Sequence, residues 1–305
     1  MPQTPPRLRV SGITSARGAL DKEAFGPGVA KGRAQKPVEI GRGSYTMSER
    51  KAALAVGAHP DDVEFTMAGT LALLADAGYE CHIHTVANGN CGTATYTHEE
   101  IIRLRRAEAQ AAAERMGATY HPGFVNDIEI FYEDSLLRKV TAVVREVQPQ
   151  IVLTHSPVDY MEDHQNACRL TVTACFCRGM RNWISDPPLS PAPQDVYLYH
   201  ASPHSNRDPL GNPILPSLFV DITGKIELKE EMLRCHATQK EWLDVSQGMD
   251  SYLAAMRDLC AALGSLAPTT IPYAEGFRQH LHVGMSAEDG DLLSEVLSGK
   301  VQTRP

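Results

Sequence analysis

No apolar run in this 305-residue chain approaches the roughly 18 residues that a membrane-spanning helix needs. The N-terminus has no apolar core of the kind a secretory signal carries, so the expected location is cytoplasmic. Positive charge is also short: 29 Lys and Arg stand against 37 Asp and Glu, a formal net charge of −8. With no nucleic-acid-binding motif beside it, that balance gives no case for DNA or RNA as a partner. Neither G-x-G-x-x-G nor G-x-x-x-x-G-K-[ST] occurs near Gly57 or Gly89, which argues against a nucleotide-dependent enzyme. The seven cysteines are odd in number and form no C-x-x-C pair. They read as buried thiols in a reducing compartment, with Cys168 and Cys175 on one face of a helix. No internal repeat is evident.

What remains is a composition of 43% hydrophobic and 22% charged residues, that of a soluble globular chain long enough to bury a sizeable core. The first 46 residues are rich in Gly, Pro, Arg and Lys without apolar periodicity and read as a disordered or loosely packed extension. The main domain is expected over residues 47–285, with 286–305 as a C-terminal tail. Within it strands and helices alternate. Strands are expected at Ala53–Ala58, Cys81–Ala87 and Ile151–His155, and helices over Asp62–Ala77, from a Thr97–Glu100 capping box to Met116, over 136–147, and over Asp163–Arg178. This order predicts an α/β fold, a mostly parallel sheet with helices on both faces. Farther on, 196–201 alternates like an edge strand, Leu218–Ile222 resembles another, and Lys225–Leu243 reads as one helix. The Pro- and Gly-rich stretch 202–216 is long for a connection and suits a pocket wall or a contact in a homo-oligomer.

The chemistry concentrates at two strand ends. His59-Pro60-Asp61-Asp62 follows the first strand, where open α/β sheets place their sites. His59 and Asp62 can reach one divalent ion, and Asp61 between them could take a proton from an activated water. The alternative is that the two aspartates cap the helix that follows. A second cluster follows another strand end: Ile151–His155 runs into Ser156 to His164 before a helix begins. His59, Asp62 and His164 would complete a three-ligand set, with Asp163 able to orient one of them. Asn88 to Gly92 ends the second strand and could line the pocket or be an ordinary Gly turn. Arg105 could bind substrate or pair with Glu108 or Glu99. Asn126 and Asp127 suit substrate contact or an Asx-turn. His82 and His84 read as structural.

On Ala58 to Asp62, on Met161-Glu162-Asp163-His164, on the Arg-rich Ile102 to Ala109, and more weakly on His236-Ala237-Thr238-Gln239 and Tyr273 to Arg278, the chain resembles the PIG-L/LmbE-like zinc N-deacetylases. The resemblance covers about 51–280. It implies a Rossmann-like sheet, Zn²⁺ or another divalent metal on His59, Asp62 and His164, and Asp61 as base. It further implies Asp163 as a partner carboxylate, Arg105, Asn88 and Asp127 near the substrate, and a small-molecule or glycoconjugate N-acetylated substrate of the N-acetylglucosamine type. One position departs. The family's first histidine of the second element falls on Met161, and a thioether cannot donate a hydrogen bond to an oxyanion. His236 is the first candidate to replace it, followed by His155, His200 and Tyr160, and zinc alone is a further possibility. A catalytically weakened sugar-binding or structural member of the family is the rival reading.

Overall fold

The structure, a computed structural model, describes residues 51–247 and 252–304; the expected extension over 1–46 lies outside them. Eight strands form one sheet in the order β3-β2-β1-β4-β5-β7-β6-β8. The first five in that order are parallel: β3 (Thr119–His121), β2 (Glu80–Thr85), β1 (Ala52–Gly57), β4 (Ile151–Thr154) and β5 (Tyr197–Ala201). The last three, β7 (Ala274–Gln279), β6 (Leu218–Asp221) and β8 (Val301–Thr303), are antiparallel to their neighbours.

The central strands are buried on both faces, which is why they read as unbroken apolar runs. In β1, Ala53 and Ala55 point into one core while Ala52, Leu54 and Val56 point into the other. The first core packs under α1 (Asp62–Thr66), α2 (Ala68–Asp76), α6 (Ile226–Leu233) and α8 (Tyr252–Leu266), and the second under α4 (Asp134–Val147) and α5 (Glu162–Cys177). α3 (His98–Arg115) opens with the expected capping box at Thr97 and Glu100.

Four expectations change. The helix foreseen over Asp62–Ala77 breaks at Met67 (φ −135°), because the amides of Gly69 and Thr70 donate to the carboxylate of Glu275, which serves as an N-terminal anion for α2. The helix foreseen over Lys225–Leu243 is interrupted at 234–236, and α7 (Ala237–Gln247) starts afresh with the amide and hydroxyl of Thr238 on Glu108. β5 is not an edge: β7 pairs with it on the far side from β4. Finally, the stretch set apart as a tail supplies α9 (Leu292–Val296) and β8, which closes the sheet beside β6.

The sheet order doubles back at β1, with β2 on one side and β4 on the other. The crevice at the C-terminal ends of β1 and β4 is therefore where a ligand is expected.

Candidate metal and catalytic site

A cavity of about 300 Å³ opens at that crevice. Its floor is the turn after β1. A Cβ on Gly57 would lie 2.9 Å from the Cβ of Asp62, so glycine at the strand end lets the turn fold back on itself. The Asp62 carboxylate accepts from the His59 amide (2.7 Å), which locks the four-residue turn. Asp61 takes φ 112°, a backbone conformation that costs a non-glycine residue roughly 1–3 kcal/mol and recurs at functional sites. Its side chain makes no cap to the helix.

His59, Asp62 and His164 come together with ligand atoms close enough to share an ion. His59 Nδ1 lies 3.5 Å and His164 Nε2 3.4 Å from the Asp62 carboxylate. The other nitrogen of each ring is held by a different carboxylate: His59 Nε2 by Asp163 at 2.9 Å, and His164 Nδ1 by Asp159 at 3.0 Å. Such carboxylate–histidine pairs fix ring orientation and raise basicity at metal centres. A second group, His155, Asp159 and His164, is also compact. It fits an ion poorly, because the two imidazoles stack at 4.2 Å with only 12° between their planes and their in-plane lone pairs run side by side. The His59 and His164 planes differ by 53°, so theirs can converge.

The electrostatics agree. Burial opposes charge on both rings, yet Asp163 and Asp62 raise His59 to about 9, and Asp62 and Asp159 raise His164 to about 10. Burial likewise opposes ionisation of Asp62, but His164 and His155 hold its carboxyl well below the usual range. A field that draws protons onto two buried imidazoles would equally favour a divalent cation.

Asp61 stands beside this set. Its Oδ2 accepts from the Tyr252 hydroxyl at 2.5 Å, and its Oδ1 lies 3.4 Å from the Arg105 guanidinium. Burial raises its pKa, and Arg105 opposes the rise. Arg105 pairs with neither Glu99 nor Glu108. Buried at 2% exposure, it donates to the carbonyls of Pro60 and Gly89.

Other expected residues fall elsewhere. Asn88 does not line the cavity; it donates to Asn126 and accepts from the Asn90 amide. Asp127 does line it, while both its oxygens accept backbone amides, from Gly89 (2.8 Å) and Cys91 (3.0 Å), and so hold the 89–92 wall. His236 is fully buried outside the lining, 3.5 Å from Glu64, and among the described residues neither ring nitrogen has a hydrogen-bond partner. His200 turns toward the His155 carbonyl and His280. Sequence reasoning missed Asp159, Tyr252 and His204, all of which line the cavity. Only Asp159 carried a signal, as a carboxylate five residues before His164. His82 has His121 across the ladder at 3.0 Å, the neighbour that sequence did not show. Among the described residues, no helix is long and apolar enough to cross a membrane.

Comparison with known proteins places these features. The family model described as GlcNAc-PI de-N-acetylase (PIG-L) matches residues 54–175. A 4-oxalmesaconate hydratase of Pseudomonas putida is 29% identical over 239 residues, 75% of this chain and 89% of the relative. The uncharacterized deacetylase YaiS of Escherichia coli is 30% identical over 138 residues, 42% of this chain and 70% of its own length. The solved N,N′-diacetylchitobiose deacetylase of Pyrococcus horikoshii shares the fold, with a TM-score of 0.65 at 23% identity over 80% of this chain and 89% of that one.

Proposed function

The chain belongs to the PIG-L family, and from that premise we propose that it is a zinc-dependent hydrolase that removes an N-acetyl group from an amino-sugar-type substrate. The observation that carries the reading is the pair of histidines that each present one nitrogen toward Asp62 while a separate carboxylate holds the other. His59, Asp62 and His164 would hold the ion. Zinc, or another divalent cation, would polarise the substrate carbonyl and make water a nucleophile near neutral pH. Asp163 and Asp159 orient the two rings.

Asp61 is the base in this reading. Its oxygens have lone pairs beyond those used by Tyr252 and Arg105, and burial increases its affinity for a proton. It takes a proton from water as water adds to the carbonyl carbon. It returns that proton to the nitrogen as the C–N bond breaks. Arg105 keeps Asp61 in place and ties Pro60 to the 89–92 wall, so its task is positioning.

A second reading follows from the hydratase relative, since the same base and ion could add water to a carbon–carbon double bond. The lining favours the amide. Its single guanidinium, Arg105, is committed to Asp61, Pro60 and Gly89, and among the described residues no other Lys or Arg lines the cavity to neutralise a polycarboxylate. Acetate release by zinc-loaded protein from N-acetylglucosamine, its glycosides and N-acetylated disaccharides tests the proposal. Turnover of an unsaturated carboxylic acid with no acetate from any of these would replace it with the hydratase reading.

A further inference from the structure

Hydrolysis at this site needs a donor for the oxygen on which charge develops. Of the donors first considered, the three histidines are turned elsewhere, and Tyr160 stays in the cavity lining as the rival that the test below includes. His236 lies outside the cavity, and His200 is bound to the His155 carbonyl and His280. The Nε2 of His155 faces the Ala58 amide at 2.9 Å and Asp62 at 3.2 Å. The Tyr252 hydroxyl is committed to Asp61. Met161, also in the lining, offers no donor.

His204 does. It lines the same cavity from the loop after β5, its ring 4.7 Å from Phe65 and edge-on to Tyr160 at 6.4 Å. Among the described residues no hydrogen bond engages either of its nitrogens. The backbone delivers it there. The Ser202 amide donates to the Gly276 carbonyl at 2.8 Å, and a Cβ on Gly276 would lie 2.7 Å from the Ser202 hydroxyl, so only glycine lets β7 approach this closely. A turn then closes from the Asn206 amide to the Pro203 carbonyl (2.8 Å), with Asn206 at φ 54°. The His204 side chain keeps solvent exposure on one side; its partial burial and the nearby His164 lower its pKa against the pull of Asp159 and Asp62, and the neutral ring has one N–H to give.

We propose that His204 is a catalytic residue of this site, its ring N–H donating to the carbonyl oxygen as that oxygen becomes an oxyanion. The inference rests on the hydrolase reading. Water's oxygen bonds to the carbonyl carbon, the π pair moves to the carbonyl oxygen, and Asp61 holds the proton that water gives up. On collapse the pair returns, the C–N bond breaks and the nitrogen takes that proton from Asp61. His204 moves no proton; it stabilises charge, a contribution of about 10² to 10³ in kcat where such donors have been removed.

The test is binding of methylphosphonate, a tetrahedral anion, to zinc-loaded protein by calorimetry at neutral pH. His204→Phe keeps a ring against Phe65 and Tyr160 but removes the donor. It should bind about tenfold more weakly or worse, the usual weight of one hydrogen bond to a charged group. His204→Gln, which retains an N–H, should recover most of the affinity, with zinc content and thermal midpoint unchanged in both variants. Equal binding by His204→Phe, a loss that instead follows Tyr160→Phe, or no binding by the wild type overturns the assignment. Acetate release is measured in parallel. A wild type that binds the anion through His204 yet releases no acetate refutes the hydrolase reading, and with it the catalytic role, and leaves His204 as an anion-binding residue only.

Discussion

Glu275 offers a stringent test of how the fold holds the site. Its carboxylate accepts three charges or dipoles at once: the Lys229 ammonium, the Gly69 amide (2.9 Å) and the Thr70 amide (2.7 Å). The Lys229 side chain has no solvent exposure and that of Glu275 has 1%. Glu275→Ala would strand a buried ammonium, at about 3–5 kcal/mol, and leave two helix-terminal amides without acceptors, at about 1–3 kcal/mol each. Loss of the proton from Lys229 and entry of water into the space left behind would reduce that total, so we expect a loss of about 4 kcal/mol or more in urea unfolding. The break between α1 and α2 exists because Glu275 satisfies the amides it exposes, and α1 carries Asp62. Metal affinity should therefore fall with stability. Glu275→Ala combined with Lys229→Met removes the stranded charge and should recover about 3 kcal/mol relative to additivity. A single variant that loses less than about 1 kcal/mol, or a pair that simply adds, would refute the argument that this ion pair caps the helix.

Three further outcomes follow from the site and the core. His164→Ala should lose stoichiometric zinc by elemental analysis, and chelation of wild-type protein should lower its thermal midpoint, since an ion bound only by the folded state stabilises it. Asp61→Asn should cut kcat by about 10² or more with zinc content near wild type, and undiminished turnover would remove Asp61 as the base. Burial, outweighing its bond to the His121 carbonyl, lowers the fully buried His84 from 6.5 to about 4. The folded value thus lies below the unfolded one. The stability this group contributes is complete above about 6.5 and is lost as the pH falls toward 4, up to about 3 kcal/mol, because only the unfolded chain takes up the proton. Urea titrations of His84→Gln should show a flatter pH dependence across that window.

Local order was legible wherever it depends on near neighbours. The burial of β1 and β4, the capping box at Thr97 and Glu100, the stops at Gly117 and ahead of Pro149, and the apolar stripe of α4 all follow from periodicity and backbone preference within a few residues. The convergence of His59, Asp62 and His164 could be anticipated for the same reason: each lies just past a strand that pairs in parallel at the centre of the sheet. Breaks within helices were not legible. Met67 and residues 234–236 lie inside helical patterns, and what interrupts them is an acceptor from far along the chain, Glu275 for one and Glu108 for the other.

Residue pattern along the chain is enough for the fold class, for the two strand ends that meet, and for the residue types able to hold a metal ion and a base. Their partners came from packing in three dimensions. It divided the carboxylates, giving Asp163 to His59 across 104 residues and Asp159 to His164 across five. It brought Tyr252 onto Asp61 from 191 residues away, took His236 out of the cavity and put His204 in. The physical reason is that periodicity encodes which face of an element is buried, whereas a hydrogen-bond partner is chosen by the packing of elements that share no local pattern.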